Sequence, residues 1–277
     1  MSATIRVLFV GDVVGTPGRS MVQKHLPRLR KELAVDLVIL NGENSSARGR
    51  GITPRIVKFF KHVGVDIITT GNHIWAHREI YTYLDSDRTV LRPANFPSGA
   101  PGTGVTTFTC SNGVTVGILN VQGRVFMREM LECPFRTAES AVTFLRSKTN
   151  IIFVDFHAET TSEKMGLAYY LDGKVSALVG THTHVPTADE RILPLGTAYQ
   201  TDLGMVGALN SMLGMQKGPI IANFISQMPT KFEVEMSPPF VLWGTCVEVD
   251  TNTGKAISIE RVKVIDDQVA IGSEHTD

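Results

Sequence analysis

The chain of 277 residues balances 27 Lys+Arg against 27 Asp+Glu, with 43% apolar and 19% charged residues. This composition excludes a strongly basic protein built chiefly to bind nucleic acid, and it excludes an intrinsically disordered chain. The length suffices to bury a core without metal or disulfide, so a metal here would be functional, and residues 1–277 are read as one domain.

Taken in chain order, Val7–Val10 is a short apolar run that reads as a buried strand and ends at Gly11-Asp12. A helix is predicted from about Pro17 to Leu33, with Thr16 as its cap and Pro17 in its first turn. Pro27–Lys31 reads as its exposed face, and His25, His62 and His275 read as surface residues. Leu37–Leu40 is a second strand, leading to Asn41-Gly42-Glu43-Asn44. The next helix runs from Thr53-Pro54 to near Gly64, with Ile56, Val57, Phe59, Phe60 and Val63 at helical spacing.

Ile67–Thr70 leads to Gly71-Asn72-His73. Val105–Val121 alternates about Asn112-Gly113, a strong hairpin signal. Helices are predicted at Phe135–Arg146 and Ser162–Leu171. The strands Ile151–Val154 and Ala177–Val179 run on to Asp155-Phe156-His157 and to Gly180-Thr181-His182-Thr183-His184. A second hairpin joins Val241–Asp250 to Ala256–Val264. Parallel βα units mixed with antiparallel hairpins favour two packed mixed sheets with helices outside.

Cys110, Cys133 and Cys246 are odd in number and far apart, which suits a reducing compartment better than a disulfide framework. The first residues lack the apolar core of a signal peptide, and no run approaches the length of a membrane span, so a cytoplasmic protein is expected.

Five strands therefore each deliver metal-ligand side chains at their C-terminal ends, where α/β sheets place their sites. Glycine precedes the key polar residue in four of them, permitting a sharp turn and close approach. His182 and His184, two apart, would point to one side of a strand, an arrangement suited to chelation. The donors are nitrogen and oxygen alone, favouring Mn, Fe or Zn over thiolate or iron–sulfur chemistry. Seven candidates (Asp12, Glu43, Asn44, Asn72, His157, His182 and His184) exceed the needs of one ion, and Glu43 could bridge two. Glu159 could orient His157 or a neighbour, and His77 lies near His73. Arg48 and Arg50 follow in a Gly-rich stretch where they could meet a phosphate or RNA, a solvated loop being the simpler reading. The Gly15–Gly18 spacing does not fit a dinucleotide fingerprint.

These blocks resemble the calcineurin-like metallophosphoesterases, whose motifs run Asp, Gly-Asp, Gly-Asn-His, His and Gly-His-x-His. They are most similar to a bacterial subgroup of 2′,3′-cyclic-nucleotide phosphodiesterases. Asn41–Asn44 with Gly51-Ile52-Thr53, Asp155–Glu159 and Gly180–Glu190 carry the likeness. It implies a four-layer α/β/β/α sandwich of two mixed sheets flanked by helices. It also implies a di-metal centre of Fe or Fe/Mn, with Zn or Mn as alternatives, and a homo-oligomer, tetramer or dimer.

By the same resemblance, Asp12, Glu43, Asn44 and His184 would hold one ion, and Glu43, Asn72, His157 and His182 the other. His73 would be the general acid. The broad superfamily carries Asp-x-His where this chain has Asp12-Val13-Val14, so Asn44 stands in for a histidine, and Glu43 replaces the bridging aspartate. The residue after His73 is Ile74 instead of an acid. The implied activity is hydrolysis of 2′,3′-cyclic nucleotides to nucleoside monophosphates by a metal-bridging hydroxide. The alternatives are a broad-specificity phosphomonoesterase or nuclease at the same site, or a metal-binding regulatory protein acting through RNA or a partner.

Overall fold

The computed structural model describes residues 4–269 and residue 271. The chain begins with β1 (Thr4–Val10), β2 (Asp12–Val13), α1 (Gly15–Glu32), β3 (Leu37–Asn41), α2 (Pro54–Val63) and β4 (Ile67–Thr69). A 3₁₀ turn at Ile74–Ala76 precedes α3 (Glu79–Ser86), β5 (Val90–Leu91), β6 (Val105–Thr109) and β7 (Thr115–Gln122). Next come α4 (Pro134–Arg146), β8 (Ile152–His157), α5 (Thr161–Leu171), β9 (Ala177–Thr181) and β10 (Arg191–Ile192). The chain continues through β11 (Ala198–Gln200), β12 (Met205–Ala208), α6 (Lys217–Ser226), β13 (Phe240–Asp250) and β14 (Ala256–Asp266).

One mixed sheet has the order β2-β12-β13-β1-β3-β4-β5, with β14 paired to β13, and the other has the order β10-β11-β9-β8-β7-β6. β1 runs parallel to β3 (Val7 opposite Leu37) and antiparallel to β13 (Val7 opposite Val247). Its side chains alternate between two cores. Ile5, Val7 and Phe9 join Phe153, Val179 and Ile118 between the sheets, and Phe9 meets Phe153 edge to face at 5.7 Å. Leu8 and Val10 pack outward with Met21, Leu26, Ile56 and Phe60 of α1 and α2. On the far side, Leu119, Val154 and Leu178 pack with Leu145 of α4 and Leu167 of α5. Both faces of each central strand are covered, which is why these strands read as continuous apolar runs. The layers are helix, sheet, sheet, helix, as expected.

The boundaries of α2 follow local chemistry: Thr53 Oγ1 accepts from the Ile56 amide at 3.3 Å, and Gly64 closes the helix at φ 105°. α1 departs from expectation. It begins at Gly15, with Val14 at the cap position, and Thr16 lies inside it. There Thr16 Oγ1 accepts from the buried Arg19 at 3.2 Å instead of capping. His25 is not a surface residue; it is buried, and its Nε2 lies 2.8 Å from Asp266 at the end of β14. His62 is exposed, and His275 lies outside the described residues. Sequence periodicity did not reveal α3 or α6: the former is short, and Lys217–Ser226 (KGPIIANFIS) has no polar face to create a period.

Candidate metal centre

The C-terminal ends of β1, β3, β4, β8 and β9 converge, bringing together the seven candidate ligands and His73. His157 stands at the middle, fully buried at the end of β8. Its Nε2 lies 3.2 Å from Glu43 Oε1, 3.1 Å from Asn72 Oδ1 and 3.1 Å from His182 Nδ1. Glu43, His157 and His182 each offer a ligand atom, all within 4.8 Å of one another. Asp12 lies on the same floor, with Oδ1 3.9 Å from His157 Nδ1 and Oδ2 accepting from the His182 amide at 3.1 Å. Asn44, His73 and His184 line the cavity above this floor, together with Glu43 and His182.

The glycines act through space. A Cβ on Gly71 would come within 2.2 Å of the His157 ring and 2.4 Å of Glu43 Oε2, so the cluster closes only over a glycine. At Gly180 a Cβ would sit 1.8 Å from the Thr201 carbonyl.

The left-handed backbone falls elsewhere. β9 ends at Thr181, so His182 and His184 do not alternate on a strand. They occupy the following loop at φ 99° and 64°. Conformations of this kind cost about 1–3 kcal/mol each and persist where the surroundings hold them. The His182 amide donates to Asp12, and the Thr183 amide donates to Asp202 Oδ2 at 3.1 Å. His184 Nδ1 donates to the Leu213 carbonyl at 3.0 Å, leaving Nε2 as its lone-pair nitrogen. Asp202 in turn is held by Lys164 Nζ at 2.7 Å, an ion pair with both side chains buried.

Behind His157 lies a second arrangement, built from Thr181, Asp155 and Asn41. Thr181 Oγ1 donates to Asp155 Oδ1 at 2.8 Å, so it accepts from His157 Nδ1 at 2.9 Å. Asn41 Nδ2 holds the other Asp155 oxygen at 3.1 Å. This fixes the proton on Nδ1 and turns Nε2 toward Glu43 and Asn72, the nitrogen that would be free to bind a cation once its own proton is lost. Alternation on β8 puts Asp155 on the same face as His157, a signal readable from the spacing. Lys164 sits on a helix like any surface lysine, and only the fold pairs it with Asp202. Glu159 contacts His182 instead of His157, with Oε2 3.0 Å from Nε2. His77 touches none of the ligand atoms and bonds the Arg50 carbonyl at 3.1 Å.

The electrostatics describe a pocket short of positive charge. Burial opposes ionisation of His157, yet Glu43, Asp12 and Asp155 outweigh it and push its pKa up to about 9. Burial would raise Glu43, but His157 and the His73 amide hold it down at about 2. Burial drives Asp12 well above the ordinary carboxylate value. Burial, reinforced by His157, lowers His182 to about 3, and burial lowers His184, so both are neutral donors near pH 7.

The buried Oδ1 atoms of Asp12 and Asn44 have no hydrogen-bond partner among the described residues. Asn44 Nδ2 donates to the Gly49 carbonyl at 2.9 Å, which fixes the direction of that oxygen. Partnerless acceptors beside carboxylates and neutral imidazoles suit hard or borderline cations, and these residues therefore fit a metal centre.

Removing the relay hydroxyl by Thr181→Val is expected to weaken metal binding about 10–100-fold, because it unfixes the His157 tautomer. Metal titration by calorimetry checks this, and unchanged affinity would sink the positioning role.

Residues 8–262 match the family model described as YmdB-like protein. A Bacillus subtilis protein named 2′,3′-cyclic-nucleotide 2′-phosphodiesterase is 45% identical over 96% of this chain and 99% of its own length. Among solved structures, a novel phosphatase from Mycoplasma pneumoniae has a TM-score of 0.89 at 35% identity, covering 96% of this chain and 95% of that one. A hypothetical protein from Thermus thermophilus has a TM-score of 0.87 at 39% identity, covering 95% of this chain and all of that one.

Proposed function

This chain belongs to the YmdB-like protein family, and on that premise we propose that it is a metal-dependent phosphodiesterase hydrolysing 2′,3′-cyclic nucleotides. The observation that carries the chemistry is the buried nitrogen and oxygen donor set, its Asp12 and Asn44 oxygens left without partners, at the foot of an open cavity. Asp12, Glu43, Asn44 and His184 would hold one ion, and Glu43, Asn72, His157 and His182 the second, with Fe or Fe/Mn as the expected metals. When bound, such a pair acidifies water and neutralises charge on phosphoryl oxygens.

The chain's own residues prepare that chemistry. Glu43 stays anionic at every physiological pH and anchors the His73 loop by accepting from the His73 amide at 3.1 Å. Burial holds the His73 imidazole below the ordinary histidine value, and Glu43 partly offsets this. An anionic substrate alongside raises it further and makes His73 the donor of a proton to the leaving alkoxide. Arg50, on the same cavity wall, supplies a fixed positive charge for the phosphate. Opening the cyclic ester in this way releases a nucleoside monophosphate.

No helix among the described residues is long and apolar enough to cross a membrane. The reading is tested with anaerobically purified protein by elemental analysis and by hydrolysis of 2′,3′-cyclic AMP against p-nitrophenyl phosphate. About two metals per chain and a preference for the cyclic diester are expected; faster turnover of the monoester would move the substrate class. His73→Ala is expected to lower turnover about 10²–10⁴-fold with metal content unchanged. Loss of metal in that variant would make His73 a ligand instead.

A further inference from the structure

The candidate ligands and His73 form only one wall of the cavity. β12 and β13 are antiparallel neighbours (Val206 opposite Leu242), yet residues 209–239 run between them as a long excursion instead of a tight hairpin. Bridges between Met212 and Met215 and between Met215 and Val234 pin both ends of the excursion. Of α6, which lies within it, only Ile220 is buried. The result is the second wall of a cavity of about 440 Å³ whose first wall is Glu43, Asn44, His73, His182 and His184.

This second wall is apolar: Met212, Leu213, Met215, Phe224 and Phe232 line it. Phe224 is 66% exposed and Phe232 42% exposed, so neither supports the core. The wall is tied to the ligands, because the Leu213 carbonyl takes the His184 Nδ1 hydrogen. Its polar member, Asn223, has its amide nitrogen committed to the Met228 carbonyl at 2.7 Å.

We propose that this wall is a nucleobase subsite, in which Phe224 and Phe232 with the flanking methionines pack on the base of a nucleotide whose phosphate sits at the metal ligands. The inference rests on the phosphodiesterase reading. It follows from continuity: a phosphodiester held at His73 and Arg50 must place its organic substituent in the rest of the same cavity. Flat apolar side chains there favour an aromatic group. Stacking on phenylalanine accepts any base because every base has a π-face, and the wall offers few polar groups for reading base edges. The subsite therefore takes purines and pyrimidines alike, with purines favoured by their larger area.

The test compares 2′,3′-cyclic AMP with methyl riboside 2′,3′-cyclic phosphate, which has the same reacting ring and no base. In Phe224→Ala, Phe232→Ala and the double variant, the ratio of kcat/KM for cyclic AMP to that for the baseless diester is expected to fall roughly 10–100-fold. The loss is expected in KM for cyclic AMP, with elemental analysis showing wild-type metal content. An unchanged ratio in the double variant overturns the subsite. Calorimetric binding of adenosine 2′-monophosphate reads the subsite without turnover. Binding weakened about tenfold or more in the double variant supports it, and an unchanged Kd overturns it. Failure of the phosphodiesterase reading is seen separately, as a wild-type protein that turns over neither diester.

Discussion

A Glu43→Gln variant is expected to lose hydrolysis of 2′,3′-cyclic AMP by on the order of 10³-fold or more, since changes one shell further out alone cost about 10–100-fold. It is also expected to purify with less than the full metal complement. Glu43 is fully buried, and its two oxygens face different groups: Oε1 the His157 Nε2 atom, Oε2 the His73 amide. Glutamine keeps the shape and replaces one of those oxygens with a hydrogen-bond donor, which repels a cation and cannot be shared between two. The change also takes from His157 the carboxylate that contributes most to its raised pKa. Because the side chain is nearly isosteric, circular dichroism should be unchanged. Metal content and kcat are the discriminating measurements, and a variant active with two metals bound would remove Glu43 from the centre.

Lys164→Met is expected to destabilise the protein by about 3–5 kcal/mol, the cost of leaving one charge of a buried pair alone. For a chain of this size that corresponds to a fall of about 10 °C in Tm. Lys164 and Asp202 are both almost fully buried, and each is the other's counter-charge. Asp202 also accepts from the amides of Thr183 at 3.1 Å and Gly204 at 2.8 Å, so its carboxylate braces the loop that carries His182 and His184 in left-handed backbone. The double variant Lys164→Met with Asp202→Leu should recover much of the stability, because no unpaired charge remains. It should not recover metal affinity, because the Thr183 amide has then lost its acceptor. Thermal unfolding of the metal-free proteins and metal titration separate the two effects. An unchanged Tm in Lys164→Met would mean that the charge of Asp202 is solvated after all.

The convergence of the candidate ligands was legible because each follows an apolar run, and a buried parallel sheet places whatever follows its strands at one end. Asp12, Glu43, Asn72, His157 and His182 needed no tertiary information to be named. The layers were legible for a related reason: continuous apolar strands such as Val7–Val10 and Ile151–Val154 require cover on both faces, and the Asn112-Gly113 hairpin required antiparallel pairing within one sheet.

The aim of the side chains was decided by tertiary structure. His182 and His184 converge on the centre through left-handed backbone stabilised by Asp12, Asp202 and Leu213, residues far away along the chain. The Lys164–Asp202 pair, the burial of His25 against Asp266 and the apolar wall of α6 are likewise long-range. Local periodicity reports which face of an element is apolar. It says nothing about a lysine that finds its counter-ion 38 residues on, or about an apolar helix that faces an open cavity instead of a core.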